Sequence, residues 1–137
     1  MSGNGTYLGL DAGEKRLGVA VGERITGHAR ALEVIRCRNG TPDWERLGAL
    51  IGDWQPAALV VGIPRHADGS ASDSTRLAER FAGELARRSG LSVHRIDERL
   101  SSRAAAESLR ERGASTDVLD AEAARIILET WLGEQFA

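Results

Sequence analysis

The sequence predicts an α/β protein on a mixed sheet, antiparallel along one side and parallel along the other, with helices on both faces. Three observations predict it. Strand-like segments follow one another through short polar turns over the first 35 residues. A continuous apolar run, Ala57-Ala58-Leu59-Val60-Val61-Gly62, suits a strand buried on both faces. From there on, helix-period and strand-like segments alternate.

Tyr7–Asp11 and Leu17–Val21 read as strands, joined by Ala12-Gly13-Glu14-Lys15-Arg16. A third strand is expected near Ala31–Ile35. Thr41-Pro42-Asp43 reads as a helix start, with Thr41 as N-cap and Pro42 in the first helical position. Leu47, Leu50, Ile51 and Trp54 then give an apolar face, and Pro56 stops the helix. After the apolar run comes a polar loop, Ile63 to Ser72. A helix from about Asp73 to Arg88 carries Leu77, Phe81, Ala82 and Leu85 on one side and ends at Gly90. Leu91–Ile96 reads as the last strand, followed by Asp97-Glu98. Ser101 or Ser102 can cap a helix to about Arg112, and a final helix is expected from about Asp117 to Trp131. The order is β-β-β-α-β-α-β-α-α.

The chain has 137 residues, the size of one domain, and no repeat or linker divides residues 1–137. No apolar run approaches the roughly 20 residues that span a bilayer. The stretch Met1 to Thr6 lacks the basic and apolar regions of a secretory signal, and Cys37 is the only cysteine, so a reducing cytoplasm is the expected location. Net charge is −2, so bulk charge does not announce nucleic-acid binding, although a local patch remains open. There is no phosphate-loop GKS/T, no Cys/His zinc spacing and no nucleophile elbow.

Acids stand in three informative places. Asp11 ends the first strand and Asp97-Glu98 the last, and sites in open α/β sheets form at the carboxyl ends of strands. Right-handed crossovers make the later strands parallel to the first, so these acids share one sheet edge. Asp120, Ala123, Ala124, Ile127, Leu128 and Trp131 lie on one helical stripe, with Asp120 at its N-terminal end. Asp117 lies one turn earlier. Carboxylates driven together repel and lose hydration, and a divalent cation relieves both costs. Oxygen-only ligands suit Mg²⁺ or Mn²⁺, which can activate water for phosphodiester cleavage. Taken singly, each acid also fits a turn, a helix cap or a dipole partner.

Four segments resemble, in order, the motifs of the YqgF family: GLDAGEKRLGVAVGE (Gly9–Glu23), ALVVGIPRHADGS (Ala58–Ser70), VHRIDERLSS (Val93–Ser102) and DVLDAEAARIIL (Asp117–Leu128). Members of that family are described as Holliday-junction resolvases and pre-16S ribosomal RNA nucleases. The resemblance spans about residues 7 to 132. It implies an RNase H-like fold with a five-stranded mixed sheet, the first three strands antiparallel, flanked by helices. It also implies Asp11, Glu98 and Asp120 as catalytic, metal-binding acids. Of Asp97 and Glu98, Glu98 is favoured as the ligand, and strand alternation, which sends neighbours to opposite faces, lets one of the two reach the metal; Asp117 and Asp97 are further candidate ligands. The stretch before the third acid, Gly113 to Asp117, lacks the cations that many members carry there.

Lys15, Arg16, Arg65, Arg99 and Arg103 are the candidate nucleic-acid contacts, because they flank the acids or leave the same edge. His66 reads as a surface loop residue, and Trp54 and Trp131 as core. The resulting expectation is an Mg²⁺- or Mn²⁺-dependent nuclease acting on pre-ribosomal RNA or branched DNA, with a homodimer open. The alternative is a non-catalytic RNase H-like module that binds nucleic acid with ribosomes or transcription.

Overall fold

The first apolar run, Thr6–Ala12, forms β1 and lies in the interior of the sheet. In this computed structural model, which describes residues 5–100 and 116–136, the strand order is β4-β3-β2-β1-β5-β6. β2 (Arg16–Glu23) runs antiparallel to β1, and β3 (Ala29–Arg38) antiparallel to β2. β4 (Thr41–Pro42) folds back along the end of β3. β5 (Ala58–Ile63) and β6 (Val93–Asp97) extend the other side in parallel. A 3-10 turn, Glu98–Leu100, follows β6 directly.

Two expectations are corrected. The sheet has six strands, not five, and Thr41-Pro42 does not start a helix. Asn39 (φ 52°) and Gly40 (φ 82°) are both left-handed. That is the geometry of a two-residue hairpin turn. It returns the chain so that Thr41 and Pro42 pair with Arg38 and Cys37. Asp43 therefore caps α1 (Trp44–Trp54), accepting from the Arg46 N–H at 3.2 Å. The third strand is also longer than expected, because β2 pairs it from Ala29 to Arg36 and β4 pairs Cys37 and Arg38.

α2 (Asp73–Ser89) begins as expected. Ser72 caps it in a reciprocal box with Thr75, and Gly90 ends it at φ 71°. α3 (Thr116–Phe136) runs five residues past the expected end. The helix expected from Ser101 or Ser102 to Arg112 lies outside the described residues.

Alternation along the strands builds two cores. Leu8, Leu10, Leu17, Val19, Leu59, Val61 and Ile63 face α1 and α2, against Leu47, Leu50, Phe81 and Leu85. Tyr7, Ala20, Ala58, Val60 and Ile96 face α3, against Ala124, Ile127, Leu128, Trp131 and Leu132. Each large apolar side chain buried this way contributes about 1.5–3 kcal/mol. Trp131 and Trp54 both pack as core, as expected. Among the described residues, no helix is long and apolar enough to cross a membrane.

Candidate active site

β1 alternates Tyr7, Gly9, Asp11 toward α3 and Leu8, Leu10 toward the other helices. Asp11 thus reaches the α3 face at the carboxyl end of β1. It lies one residue past the Leu10–Val61 pair with β5. On β6, Ile96 packs in the α3 core while Arg95 bonds Glu79 of α2 at 2.6 Å. The same alternation turns Asp97 away from α3 and Glu98 toward it. Gly62 makes room for Glu98: a Cβ there would stand 2.8 Å from Glu98 Cγ and 3.0 Å from Ile127 Cγ1.

Asp11 and Glu98 consequently hydrogen-bond each other. Burial pushes the Asp11 carboxyl well above its ordinary range; the negative charge of Glu98, the bond to it, and then Asp120 push further the same way. Burial also raises Glu98, against the pull of the bond from Asp11.

Asp120 is the third acid near Asp11. α3 brings it in because β2 has no side chain at Gly18, where a Cβ would sit 2.6 Å from the Asp120 carbonyl carbon. Gly9 does the same one strand over, beneath Ala124 and Leu128. These glycines are site-building residues that sequence reasoning did not single out for this role. The available signal was glycine inside a strand, which marks close approach of another backbone.

The carboxylate of Asp120 is engaged by Arg16, whose Nε lies 2.6 Å from Oδ2. Arg16 is thus an acid partner in this structure, while Lys15 beside it is exposed. Asp97 is bound by Arg99, which donates from Nε at 3.1 and 3.0 Å and from Nη2 at 2.7 Å. That partner holds Asp97 below the ordinary carboxylate range. Arg99 also donates to the Ala67 carbonyl at 3.3 Å, so it ties the 64–72 loop to the end of β6. Arg65, half-buried, lies close enough to act on the Asp97 charge, and His66 is exposed. Arg103 and the side chain of Asp117 lie outside the described residues; Asp117 itself is in the first turn of α3. Burial, with a smaller push from Asp120, raises the Cys37 thiol to about 11, so it is no nucleophile at neutral pH.

The donor set gathered here is oxygen-only, which matches a hard divalent cation. Among the described residues, no three His, Cys, Asp or Glu side chains stand in a ready-made coordinating group. The Asp120–Arg16 pair is the reason the geometry offers. A cleft of about 270 Å³ lined by Trp44, Phe81 and Arg80 lies on the opposite face and contains none of these acids.

A family model described as RuvX, Holliday junction resolvase, matches residues 5–134. A protein of Burkholderia cenocepacia (strain HI2424), named "Putative pre-16S rRNA nuclease", is 49% identical over 133 residues, covering 94% of this chain and 89% of that one. The chain belongs to the RuvX family. A second RuvX-type relative with the same name, from Azotobacter vinelandii (strain DJ / ATCC BAA-1303), is 46% identical and covers 98% of both chains. The fold agrees with solved resolvases. Thermus thermophilus RuvC in complex with a Holliday junction substrate matches with TM-score 0.56 at 22% identity, over 98% of this chain and 97% of that one. The yeast mitochondrial Holliday junction resolvase Ydc2 matches with TM-score 0.56 at 12% identity, over 96% and 79%. The RNase H-like architecture expected from the motifs is therefore the architecture found.

Proposed function

We propose that this chain is a divalent-metal-dependent endonuclease that hydrolyses phosphodiester bonds in structured nucleic acid, with pre-16S ribosomal RNA as the first candidate substrate and Holliday junctions as the second. The observation that carries the reading is the placement of Asp11 and Glu98 against each other, buried at the carboxyl ends of β1 and β6 with Asp120 near Asp11. Buried carboxylates brought together repel and lose hydration, and a divalent cation relieves both costs. The names borne by the relatives support the substrate classes.

Asp11, Glu98 and Asp120 would hold Mg²⁺ or Mn²⁺, with Asp117 as a further candidate and Asp97 committed to Arg99. When bound, the ion supplies Lewis-acid polarisation and an activated water. The chain's own residues set the conditions. Asp11 and Glu98 would face the ion as carboxylates, Arg16 would yield or share Asp120, and Lys15 and Arg65 would hold phosphates beside the acids. The cytoplasm is the compartment where such precursors meet the enzyme. A symmetric junction calls for a symmetric pair of chains, so a homodimer is part of the junction version.

The test compares Mg²⁺- and Mn²⁺-dependent cleavage by the parent and Asp11→Asn on a pre-16S precursor and a four-way DNA junction, with the product ends sequenced. Equal rates would exclude the proposed role. One observation favours a second reading, a nucleic-acid-binding module without catalysis: Asp120 is already satisfied by Arg16. Calorimetry separates the two, since tight binding of RNA with no metal uptake supports the module.

A further inference from the structure

Two hairpin ends meet beside the acids. The Cys37 N–H donates to the Lys15 carbonyl at 2.8 Å, and the Gly40 N–H to the Glu14 carbonyl at 2.9 Å. These bonds lock the β1–β2 turn to the β3–β4 turn. The stretches 13–16 and 36–41 carry four cations, Lys15, Arg16, Arg36 and Arg38, and one acid, Glu14. That concentration stands out in a chain of net charge −2.

Arg36 is directly opposite Arg16 in the β2–β3 register. Ile35 and Cys37 pack on the α1 and α2 side. Alternation therefore sends Arg36 and Arg38 to the α3 side, the face that holds Asp11, Glu98 and Asp120. Lys15, Arg36 and Arg38 are exposed. Arg16 is taken up by Asp120, which leaves Lys15, Arg36 and Arg38 as the exposed cations of the ledge. Three exposed cations on a backbone-locked ledge next to the acids suit an incoming polyanion.

We infer that Arg36 and Arg38 on β3, together with Lys15, form a phosphate-binding ledge for the nucleic-acid backbone. It grips the substrate on the antiparallel side of the sheet, with the Arg65 loop on the parallel side. Guanidinium forks suit such contacts, since each can take two phosphate oxygens. The inference rests on the nuclease reading and adds where the substrate lies.

The experiment measures binding of labelled stem-loop RNA and a labelled four-way DNA junction by fluorescence anisotropy, from 50 to 200 mM salt, in the full chain carrying Asp11→Asn to prevent cleavage. Adding Arg36→Ala with Arg38→Ala should weaken binding about tenfold at the low-salt end and flatten the log-log salt slope by about 1.4–1.8, two phosphate contacts at 0.7–0.9 each. Arg38→Ala alone, at an exposed position that folding tolerates, should flatten it by about half as much. Arg38→Lys should restore most of the slope. Arg87→Ala, on α2 across the sheet, should change neither quantity. Parent affinity and slope in the double variant, with circular dichroism showing a folded chain, would overturn the ledge and leave the nuclease reading intact. Absence of binding to either probe by the parent itself would overturn both.

Discussion

Substituting Gly18 by alanine tests how Asp120 reaches the site. The new methyl would lie 2.6 Å from the Asp120 carbonyl carbon. Carbon atoms at contact prefer about 3.5 Å, so α3 must retreat by about 1 Å at its N-terminal end. The obstacle is backbone, so no rotamer change relieves it. Overpacking of this kind costs about 1–3 kcal/mol. For a domain of this size that lowers Tm by about 4–12 °C. The displaced residue carries a candidate ligand, and a 1 Å misplacement costs about a hundredfold in rate. Gly22→Ala is the internal control. Its Cβ would meet the Leu128 and Leu132 methyl ends at 2.9 and 3.0 Å, farther along the same helix. It should cost stability with a much smaller effect on rate. The assays are thermal unfolding by circular dichroism and metal-dependent cleavage at saturating substrate, corrected for folded fraction. Gly18→Ala with parent Tm and parent rate would refute the seating of α3 on β2. Lost stability with an unchanged rate would refute the need for Asp120.

Three further outcomes are expected. Asp11→Asn should lower metal-dependent cleavage by about 10³-fold or more. It should also raise the Tm of the metal-free protein near pH 7.5. The sign follows from proton linkage: the raised folded-state pKa means the folded chain holds a proton the unfolded chain has lost. Parent stability therefore declines as pH climbs from the ordinary aspartate range through that raised value, a decline the variant should lack in a pH series of melts. Leu128→Ala, at a fully buried side chain, should cost about 2–5 kcal/mol in urea unfolding. Gly83→Ala, in mid-α2 with nothing near its Cβ position, should add about 0.4–1 kcal/mol in the same assay.

Much of this was legible in the chain. The apolar run Ala57–Gly62 and the Gly90 stop located β5 and the end of α2 almost to the residue. Alternation alone separates Asp97 from Glu98 without choosing between them; the structure turns Glu98 toward α3 because Ile96 packs there. The misreading at Thr41-Pro42 came from weighing a helix-start signal over Asn39-Gly40, whose left-handed pair makes a hairpin first. The final stripe was right in its apolar members, and Glu129, outside that stripe, also reaches the sheet, accepting from the Ala29 N–H at 2.8 Å. Partners of the arginines were beyond sequence reasoning. Arg16 and Asp120 are 104 positions apart, and nothing local predicts their ion pair. Arg99 is held two residues away by Asp97, a geometry that depends on how the turn after β6 closes.

The acids come from the beginning, the later part and nearly the end of the polypeptide, and this orders events during synthesis. While the ribosome is still making α3, Asp11 stands without its distant companion, and the groove floored by Gly9 and Gly18 lies open. On the proposed reading, a nascent chain lacks one of its three candidate ligands until synthesis is nearly over. The candidate site is complete only when the last helix has emerged and settled into place.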